Sequence, residues 1–411
     1  MKNSIITLAM SLSIVACTTT TKQSADVVAD SFDFASKQLN YAFTAIDSAK
    51  ANLTPEQIEK GVFTPRSFTK DGGLSLIASR DWCSGFFPGE LWYMYEYTGD
   101  EAWRKKAEEF TAPVEKEKTN GGTHDMGFKV YCSFGNGYRL TKNPAYRDII
   151  LEAASTLTTR YNDKIGAIRS WDHHKDVWQY PVIIDNMMNL ELLYAAFKES
   201  GDSTYYNIAT NHALTTLKNH FRDDFSSYHV VDYDTVTATP RIKQTHQGYN
   251  DESAWSRGQS WGLYGYTMCY RETGLPEFLE QAKAIANYIG EHPNMPEDMV
   301  PYWDYNAPDI PDEPRDASAA AVAACGLYEL STYDKENGAK YKEWADKMVE
   351  SLSSNYRATL NGDHGFLLLH STGSGHGAGF EMDYPLVYAD YYFLEALLKK
   401  AKLEKEGTAI L

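Results

Sequence analysis

The chain has 411 residues, 43% of them hydrophobic, so it can bury one large core or two of average size. Acidic side chains (56) outnumber basic ones (39), which gives a formal net charge of −17 with no basic block. This balance argues against nucleic acid as a partner, and it means that an anionic ligand needs cations placed locally.

The N-terminal segment has the pattern of an export signal. Lys2 precedes an apolar run over residues 5–16 that is too short to span a bilayer as a mature helix. The run ends in Ile14-Val15-Ala16-Cys17, which resembles the lipobox of bacterial lipoproteins. We therefore expect residues 1–16 to be a lipoprotein signal peptide, Cys17 to be lipidated, and the protein to be held on a membrane facing the periplasm or the cell exterior. The alternative is an ordinary secretory signal with a chance cysteine.

The rest of the chain has a helical period almost throughout. Residues 17–30 are predicted to be a polar tether, and residues 31–411 a single domain. Helices are predicted at about 31–50, 86–98, 101–117, 125–139, 144–160, 182–199, 203–221, 253–273, 276–290, 316–331, 337–355 and 383–402. Short turns with helix stop and start signals join several of them, as at Thr98-Gly99-Asp100. The best strand signal is at 228–234, followed by 238–245 as a candidate hairpin.

This pattern predicts an all-α fold. Six helical hairpins closing into an (α/α)6 barrel, with a few short strands in loops, would satisfy the helix count and the strongly apolar inner helices. A weak echo of Trp82-Cys-Ser-Gly85 in Trp255-Ser-Arg-Gly258 supports repeated pairing. In such a toroid, the turns before the inner helices surround one cavity, so polar motifs at those turns converge.

Two aspartates at such turns are the candidate catalytic groups. Asp185 lies in an apolar stretch that follows Pro181, where burial requires a partner or a bound proton. Asp125 follows Gly121-Gly122 at the start of another helix. Pro181 is expected to lie in the first turn of the helix that contains Asp185. Each aspartate could instead be a simple helix cap. If the two carboxyl groups are close, burial and mutual repulsion keep one protonated, as hydrolysis of a sugar bond requires.

Further polar residues suit a sugar ligand. Arg257 is expected to bind a substrate carboxylate or to stack on an indole, with an internal ion pair to Asp251 or Glu252 as the alternative. Gln247, Gln259, His124 and His229 can hydrogen-bond to sugar hydroxyls. His173-His174 lacks helical metal-ligand spacing, and the four cysteines after Cys17 have no zinc or redox spacing, so no metal is expected and the thiols are expected to be buried and free.

Taken together, the motifs resemble those of the unsaturated glucuronyl hydrolases, glycoside hydrolase family 88. The resemblance covers about residues 30–402 and rests on Arg80-Asp-Trp-Cys-Ser-Gly-Phe-Phe-Pro-Gly, Thr123-His-Asp-Met-Gly-Phe, Ile184-Asp-Asn-Met-Met-Asn-Leu, His246-Gln-Gly-Tyr, Trp255-Ser-Arg-Gly-Gln-Ser-Trp, Val300-Pro-Tyr-Trp-Asp, Pro311-Asp-Glu-Pro-Arg-Asp-Ala-Ser-Ala-Ala and Tyr388-Ala-Asp-Tyr-Tyr-Phe-Leu-Glu-Ala-Leu.

The resemblance implies an (α/α)6 barrel that uses no metal or organic cofactor. It implies that Asp185 is the acid/base and Asp125 the second essential aspartate. It also implies a set of substrate-binding residues: His124, His229, Gln247, Arg257, Trp261, Trp82, Trp171, Ser371 and Ser374. The implied substrate is an oligosaccharide released by a polysaccharide lyase, whose terminal 4,5-unsaturated uronic acid is protonated at C4 and hydrated at C5.

Two other functions remain open from the sequence. One is hydrolysis of other uronides or saturated glycosides, such as rhamnosyl-linked fragments, by the same barrel. The other is a non-catalytic glycan-binding lipoprotein. Two sequestered carboxylates argue against the second alternative, because binding a neutral sugar gains little from them.

Overall fold

Six helical hairpins follow one another along the chain in the computed structural model, which describes residues 26–375 and 381–411. Each pairs an outer helix with an inner one. In chain order the helices are α1 (Val27–Lys50), α2 (Phe86–Thr98), α3 (Glu101–Thr111), α4 (Asn136–Thr141), α5 (Pro144–Thr158), α6 (Leu190–Ser200), α7 (Ser203–Asn219), α8 (Ser256–Thr273), α9 (Pro276–Glu291), α10 (Ala317–Leu330), α11 (Gly338–Asn355) and α12 (Val387–Glu406), with a short extra helix at Pro55–Glu59.

The even-numbered helices form a closed inner ring. A π-helix at Gly127–Gly135 continues into α4 and fills the ring position between α2 and α6. Around the ring, α6 packs on α8, α8 on α10, α10 on α12, and α12 returns to α2. The predicted (α/α)6 barrel is therefore confirmed.

Burial separates the two rings. Every residue of α10 is buried, and its alanines let the neighbouring inner helices approach closely. Outer helix α9 buries only one stripe, which includes Phe278, Ala282, Ile285 and Ile289, so it lies on the surface of the barrel.

The predicted stop and start signals between helices are confirmed. Gly99 ends α2 with a left-handed φ of 68°, which costs glycine little because it has no Cβ. The Asp100 carboxylate then accepts a hydrogen bond from the Ala102 N–H and begins α3. Gly201 and Asp202 repeat the arrangement between α6 and α7.

Short strands occupy the loops. They are β1 (Val62–Phe68), β2 (Leu74–Ala78), β3 (Tyr161–Asn162), β4 (Ala167–Ile168), β5 (Pro181–Ile183), β6 (Val230–Tyr233) and β7 (Pro240–Gln244). The antiparallel β6–β7 pair confirms the predicted hairpin, and β5 adds a third strand to it. The β1–β2 hairpin was not predicted.

Pro181 does not begin a helix, so that part of the sequence prediction is wrong. It pairs with Asp232 in the β5–β6 ladder, and its carbonyl accepts a hydrogen bond from the Ser170 N–H at 2.8 Å. The helical segment begins three residues later as a 3₁₀ helix over Ile184–Asn189, which leads into α6. The strand conformation is favoured because the Pro181 carbonyl accepts a hydrogen bond, whereas the missing N–H of the proline costs no hydrogen bond at this position.

The N-terminal boundary also differs from the predicted one. Helix α1 begins at Val27 because the Asp26 carboxylate accepts hydrogen bonds from the Val28 and Ala29 amides, so residues 27–30 are helical and do not belong to the tether. The predicted signal peptide and Cys17 lie outside the described residues. Within the described part, no helix is both long and apolar enough to cross a bilayer. The described cysteines, Cys83, Cys132, Cys269 and Cys325, are buried free thiols as predicted.

Candidate functional site

Glycine at position 127 lets the segments that carry the two aspartates come together. A Cβ on Gly127 would lie 2.7 Å from the Asn189 Cα, closer than side chains tolerate. The Asn189 amide oxygen also accepts a hydrogen bond from the Phe128 N–H at 3.1 Å. The π-helix that follows Asp125 is thereby fixed against the 3₁₀ helix that contains Asp185. Such irregular helices are frequent at functional sites.

Asp185 is buried and holds its proton unusually well. Burial raises the pKa of the Asp185 carboxyl to about 7, and the neighbouring Asp125 charge adds to the rise. The Arg257 guanidinium, the backbone amide and the Trp261 indole favour the carboxylate form and limit the rise of this pKa. Oxygen Oδ2 is buried without a hydrogen-bond partner among the described residues. Asp185 does not cap a helix, because the cap position is Ile183.

His229 faces Asp185 as a neutral ring. Its Nε2 lies 3.5 Å from Asp185 Oδ2, and its Nδ1 accepts the backbone N–H groups of His246 and Gln247 at 3.1 and 3.2 Å. Burial lowers the pKa of His229 well below its usual range. Because Nδ1 is an acceptor, the single proton of the neutral ring is on Nε2 and points at Asp185.

His124 lies beside the second aspartate and has the opposite tautomer to His229. Its Nδ1 donates to the Ser170 carbonyl at 2.7 Å, so the neutral ring carries a lone pair on Nε2. That nitrogen lies 3.2 Å from Asp125 Oδ1 without forming a hydrogen bond, and burial lowers the pKa of His124. The other Asp125 oxygen accepts the Thr123 hydroxyl at 3.1 Å. Asp125 is therefore positioned by side chains and is not the simple helix cap that was the alternative.

Arg257 has a different ion-pair partner from those considered in the sequence. It pairs with Asp316 at 2.9 Å and donates to the carbonyls of Thr372 and Gly373, while only 1% of the residue is exposed. The guanidinium also stacks on the Trp255 indole, 4.6 Å from the ring centre, as one sequence expectation proposed. Neither Asp251 nor Glu252 pairs with it.

The three candidate tryptophans lie at different depths. Trp261 is fully buried, with its ring 5.2 Å from Phe128 and 5.4 Å from Tyr392, so the body of the ring is part of the core. Trp82 is half-buried against Tyr388 at 4.9 Å. Trp171 is half-buried and its ring lies 5.8 Å from that of His229, which places it beside the site.

The remaining candidates form one wall of the site. The Gln247 side chain donates to the Gly373 carbonyl at 2.9 Å, and the Gly375 N–H donates to the Gln247 carbonyl at 2.8 Å. Ser371 is buried and its backbone pairs with Tyr384 in antiparallel fashion. Ser374 is half-buried beyond it. The segment that contains Ser371 and Ser374 therefore contacts both Gln247 and Arg257.

Three contributors were not identified as site residues from the sequence. Asp316 pairs with Arg257, Asn189 joins the two aspartate segments, and Trp255 packs its ring 4.5 Å from that of His229. Only Asp316 has a local signal, because an aspartate just before an alanine-rich helix suggests a cap, and it does cap α10. No local signal reveals that this cap is also an ion-pair partner.

The arrangement suits proton transfer to a neutral or anionic ligand in a sheltered hollow. It combines a carboxyl group that titrates near neutral pH, a second carboxylate, two neutral imidazoles and half-buried aromatic faces. Among residues 26–375 and 381–411, no group of three or more histidine, cysteine or acidic side chains has a metal-binding arrangement.

Comparison with known proteins gives the family. The sequence model of the family described as Glycosyl Hydrolase Family 88 matches residues 65–402. An unsaturated glucuronyl hydrolase from Formosa agariphila is 53% identical over 331 residues, which cover 80% of this chain and 82% of the relative. A crystal structure of an unsaturated glucuronyl hydrolase specific for heparin has 46% identity and a TM-score of 0.86, over 92% of this chain and 98% of that one.

A more distant solved structure contains a bound sugar. It is a mutant unsaturated glucuronyl hydrolase from Streptococcus agalactiae complexed with dGlcA-GalNAc6S, 30% identical with a TM-score of 0.72 over 90% of both chains. The family match covers most of this chain, and the sequence resemblance is confirmed. The chain belongs to glycosyl hydrolase family 88.

Proposed function

We propose that this protein is an exolytic hydrolase that removes the terminal 4,5-unsaturated uronic acid from oligosaccharides produced by polysaccharide lyases. The observation that carries the proposal is the buried Asp185 carboxyl, whose pKa of about 7 leaves it able both to give and to take a proton near neutral pH. The family relatives named above, which are unsaturated glucuronyl hydrolases, support the same substrate class.

The first step is protonation of the alkene. The C4=C5 bond of the terminal residue is an enol ether, so its C4 is electron-rich and takes the proton from Asp185. The positive charge that develops at C5 and the ring oxygen is stabilised by the carboxylate that Asp185 becomes and by Asp125. His229, neutral with its Nε2–H toward Asp185, stabilises the new carboxylate without giving up its own proton.

The second step is hydration and ring opening. Water adds to C5 and its proton returns to Asp185, which restores the acid. The product is a hemiketal, which opens to a C5 ketone and leaves a hemiacetal at C1. Loss of the leaving sugar as an alcohol from C1 gives an aldehyde and completes hydrolysis. Because water attacks C5, the relation between carboxylate spacing and anomeric stereochemistry does not apply.

The cellular location is a second part of the proposal. An export signal over residues 1–16 and lipidation of Cys17 would tether the barrel to a membrane on the periplasmic or outer side. The pattern that supports it is Lys2, the apolar run and Ile14-Val15-Ala16-Cys17. Replacing Cys17 with serine in the full chain and following membrane fractionation tests it, and an unchanged membrane fraction contradicts it.

The test of activity uses a lyase-generated unsaturated disaccharide. We expect its ultraviolet absorbance, which comes from the conjugated double bond, to decay with the wild-type protein. Asp185→Asn should lower kcat by about a thousandfold or more, because an amide cannot replace the carboxyl group that supplies the proton. Cooperative thermal unfolding and an unchanged circular dichroism spectrum establish that the variant is folded.

Three results would contradict the proposal. Release of sugar without loss of absorbance would instead favour a hydrolase of saturated glycosides. Binding without turnover in wild type and variant would favour a glycan-binding lipoprotein. Retention of activity by Asp185→Asn would remove the assigned acid. A panel of lyase products from several polymers then identifies the parent polysaccharide.

A further inference from the structure

Three histidines stand together at the edge of the site, and the reaction described above does not use them. His173 and His174 lie in the loop between β4 and β5, and His246 follows β7. Their ring centres are 4.8 Å apart for His173 and His174, and 6.3 and 6.2 Å from each of these to His246. All three are exposed. We call this group the histidine lip.

An aromatic layer connects the histidine lip to the catalytic aspartate. The Trp171 ring lies 5.1 Å from both His173 and His246, and 5.8 Å from His229, which contacts Asp185. Trp178 packs beneath, 5.1 Å from Trp171. The lip is therefore one aromatic ring away from the group that protonates the terminal sugar. A ligand that extended from Asp185 along Trp171 would therefore reach the lip.

The backbone holds the lip in a strained form. His174 has a φ of 50°, in the left-handed region that non-glycine residues rarely adopt. Its carbonyl accepts the N–H groups of both Val177 and Trp178 at 2.9 Å, which stabilises this conformation. Such backbone strain is frequent at functional sites.

The ring nitrogens of the lip are available to a ligand. No protein group within residues 26–375 and 381–411 forms a hydrogen bond with a ring nitrogen of His173, His174 or His246. The three rings also do not form a metal-binding arrangement in this part of the chain. The donors that remain are N–H groups and, on protonation, positive charge, both of which suit an oxyanion.

The surrounding charges favour an anion at this point of an acidic protein. The acidic group that faces the lip is Asp172, which is neutralised by Arg160 and Arg169 at 2.8 Å each, with Lys175 also nearby. Partial burial of the rings, and then repulsion from the neighbouring histidines, lowers the pKa of His173 and of His246. A bound anion would relieve that repulsion and draw protons onto the rings.

We propose that the histidine lip binds an anionic substituent, a sulfate or a carboxylate, carried by the oligosaccharide beyond the bond that is cleaved. This rests on the proposed function, and it adds a determinant of substrate choice to it. The lip would select charged leaving sugars over neutral ones, and more strongly at lower pH, where His173 and His246 gain charge.

The test compares three unsaturated substrates: a non-sulfated disaccharide, the same disaccharide with sulfate on the leaving sugar, and a non-sulfated tetrasaccharide whose third residue carries a carboxylate. The variant is His173→Gln/His174→Gln/His246→Gln. We expect kcat/KM for an anion-bearing substrate to fall about tenfold more than kcat/KM for the disaccharide with a neutral leaving sugar. The fall should come from a higher KM, because one or two charge-assisted hydrogen bonds to the substrate are lost. The single variant His246→Gln provides the comparison if the triple variant does not fold.

The control is His364→Gln, whose ring packs on Phe68 and contacts the Gly72 carbonyl, outside the lip. A selective loss with the sulfated disaccharide identifies sulfate as the ligand, and one confined to the tetrasaccharide identifies carboxylate. Equal losses with all three substrates, or a preference that does not weaken between pH 6 and pH 8, would overturn the proposal. Tryptophan fluorescence of the Asp185→Asn protein measures the same preference by binding. A wild type that is inactive on every substrate would contradict the proposed function, and the binding measurement would still show whether the lip prefers anionic ligands.

Discussion

Asp185 is subject to two opposing influences at the scale of a single residue. Burial favours its protonated form, and the Arg257 guanidinium favours the carboxylate. Asp316 and the carbonyls of Thr372 and Gly373 hold that guanidinium in place, so the balance is built into the fold. Arg257 is thus a positioning residue for the proton on Asp185 in this structure.

The raised pKa of Asp185 predicts how stability depends on pH. A folded pKa of about 7 against about 3.9 in the unfolded chain means that the folded state binds the proton more tightly. The stabilisation of the folded state by this proton is complete at pH values below the pKa in the unfolded chain. It is lost as pH rises through the pKa in the folded protein. Asp185→Asn removes this dependence. Relative to wild type, we expect it to gain about 2 kcal/mol in the free energy of unfolding between pH 5 and pH 8.

Urea unfolding of both proteins at pH 5, 6, 7 and 8 measures the difference. Asp172→Asn is a comparison variant for which the pH dependence of the free energy of unfolding should have the opposite sign. Burial opposes ionisation of Asp172, but Arg160, Arg169 and Lys175 together lower its pKa. The stabilisation of the folded state by ionised Asp172 is present at neutral pH and is lost on acidification. Asp172→Asn should therefore lower the free energy of unfolding most at neutral pH. An Asp185→Asn effect that does not change with pH would contradict the assignment.

At the scale of elements, the site is built where helices depart from the α form. Asp185 belongs to a 3₁₀ helix and Asp125 precedes a π-helix, whereas the regular helices α8 and α10 contribute Arg257 and the cap Asp316. The irregular turns shift the register of neighbouring side chains, and the two aspartates are close enough for the charge of Asp125 to raise the pKa of Asp185. Contact between the two irregular helices therefore decides the geometry of the acid.

Gly127→Ala tests that contact. The added Cβ would meet the Asn189 Cα at 2.7 Å, which is backbone and cannot turn aside. We expect a loss of about 2 kcal/mol in the free energy of unfolding, as for overpacking of a well-packed core. We also expect a fall in kcat of about tenfold or more, because the two aspartate segments separate. Thermal unfolding and the absorbance assay measure the two effects.

Gly121→Ala is the matched control on the same loop. Its Cβ would have no neighbour closer than 3.7 Å, so stability and rate should stay close to wild type. If Gly127→Ala were as active and as stable as Gly121→Ala, close approach of the two segments would not be needed for the site.

At the scale of the whole molecule, a network of buried charges holds the end of the barrel away from the catalytic loops. Lys399 on α12 pairs with Glu329 at 3.0 Å and Glu395 at 3.2 Å, and only 2% of its side chain is exposed. Arg271 on α8 pairs with Glu329 at 3.0 Å and also with Glu191. The network therefore links α6, α8, α10 and α12 around the barrel axis.

Removing one cation from this network should be costly. Lys399→Met leaves Glu395 without a cationic partner in a buried place, and we expect a loss of about 3 to 5 kcal/mol in the free energy of unfolding. Lys405→Met, at the exposed end of the same helix, is the control and should change it by less than about 0.5 kcal/mol. Urea unfolding compares them, and equal stability of the two variants would contradict this account of the barrel.

Much of the barrel could be predicted because its information is local. Apolar periodicity located the twelve helices of the barrel, and glycine–aspartate turns such as Gly99-Asp100 located their junctions, since capping and burial act within a few residues. The strand at Pro181 and the β1–β2 hairpin were not predicted, because pairing with Asp232 or with a neighbouring strand depends on residues outside any local window.

The sequence alone determined the family, the all-α class and the identity of the two aspartates, because these depend on residue types in fixed motifs. Only the tertiary structure decided that Arg257 pairs with Asp316, 59 residues away, and that His229 presents its Nε2 to Asp185. It also brought His246 beside His173 and His174. The physical reason is that burial, charge pairing and the pKa of a carboxyl group depend on distances in space, which the order of residues along the chain does not specify.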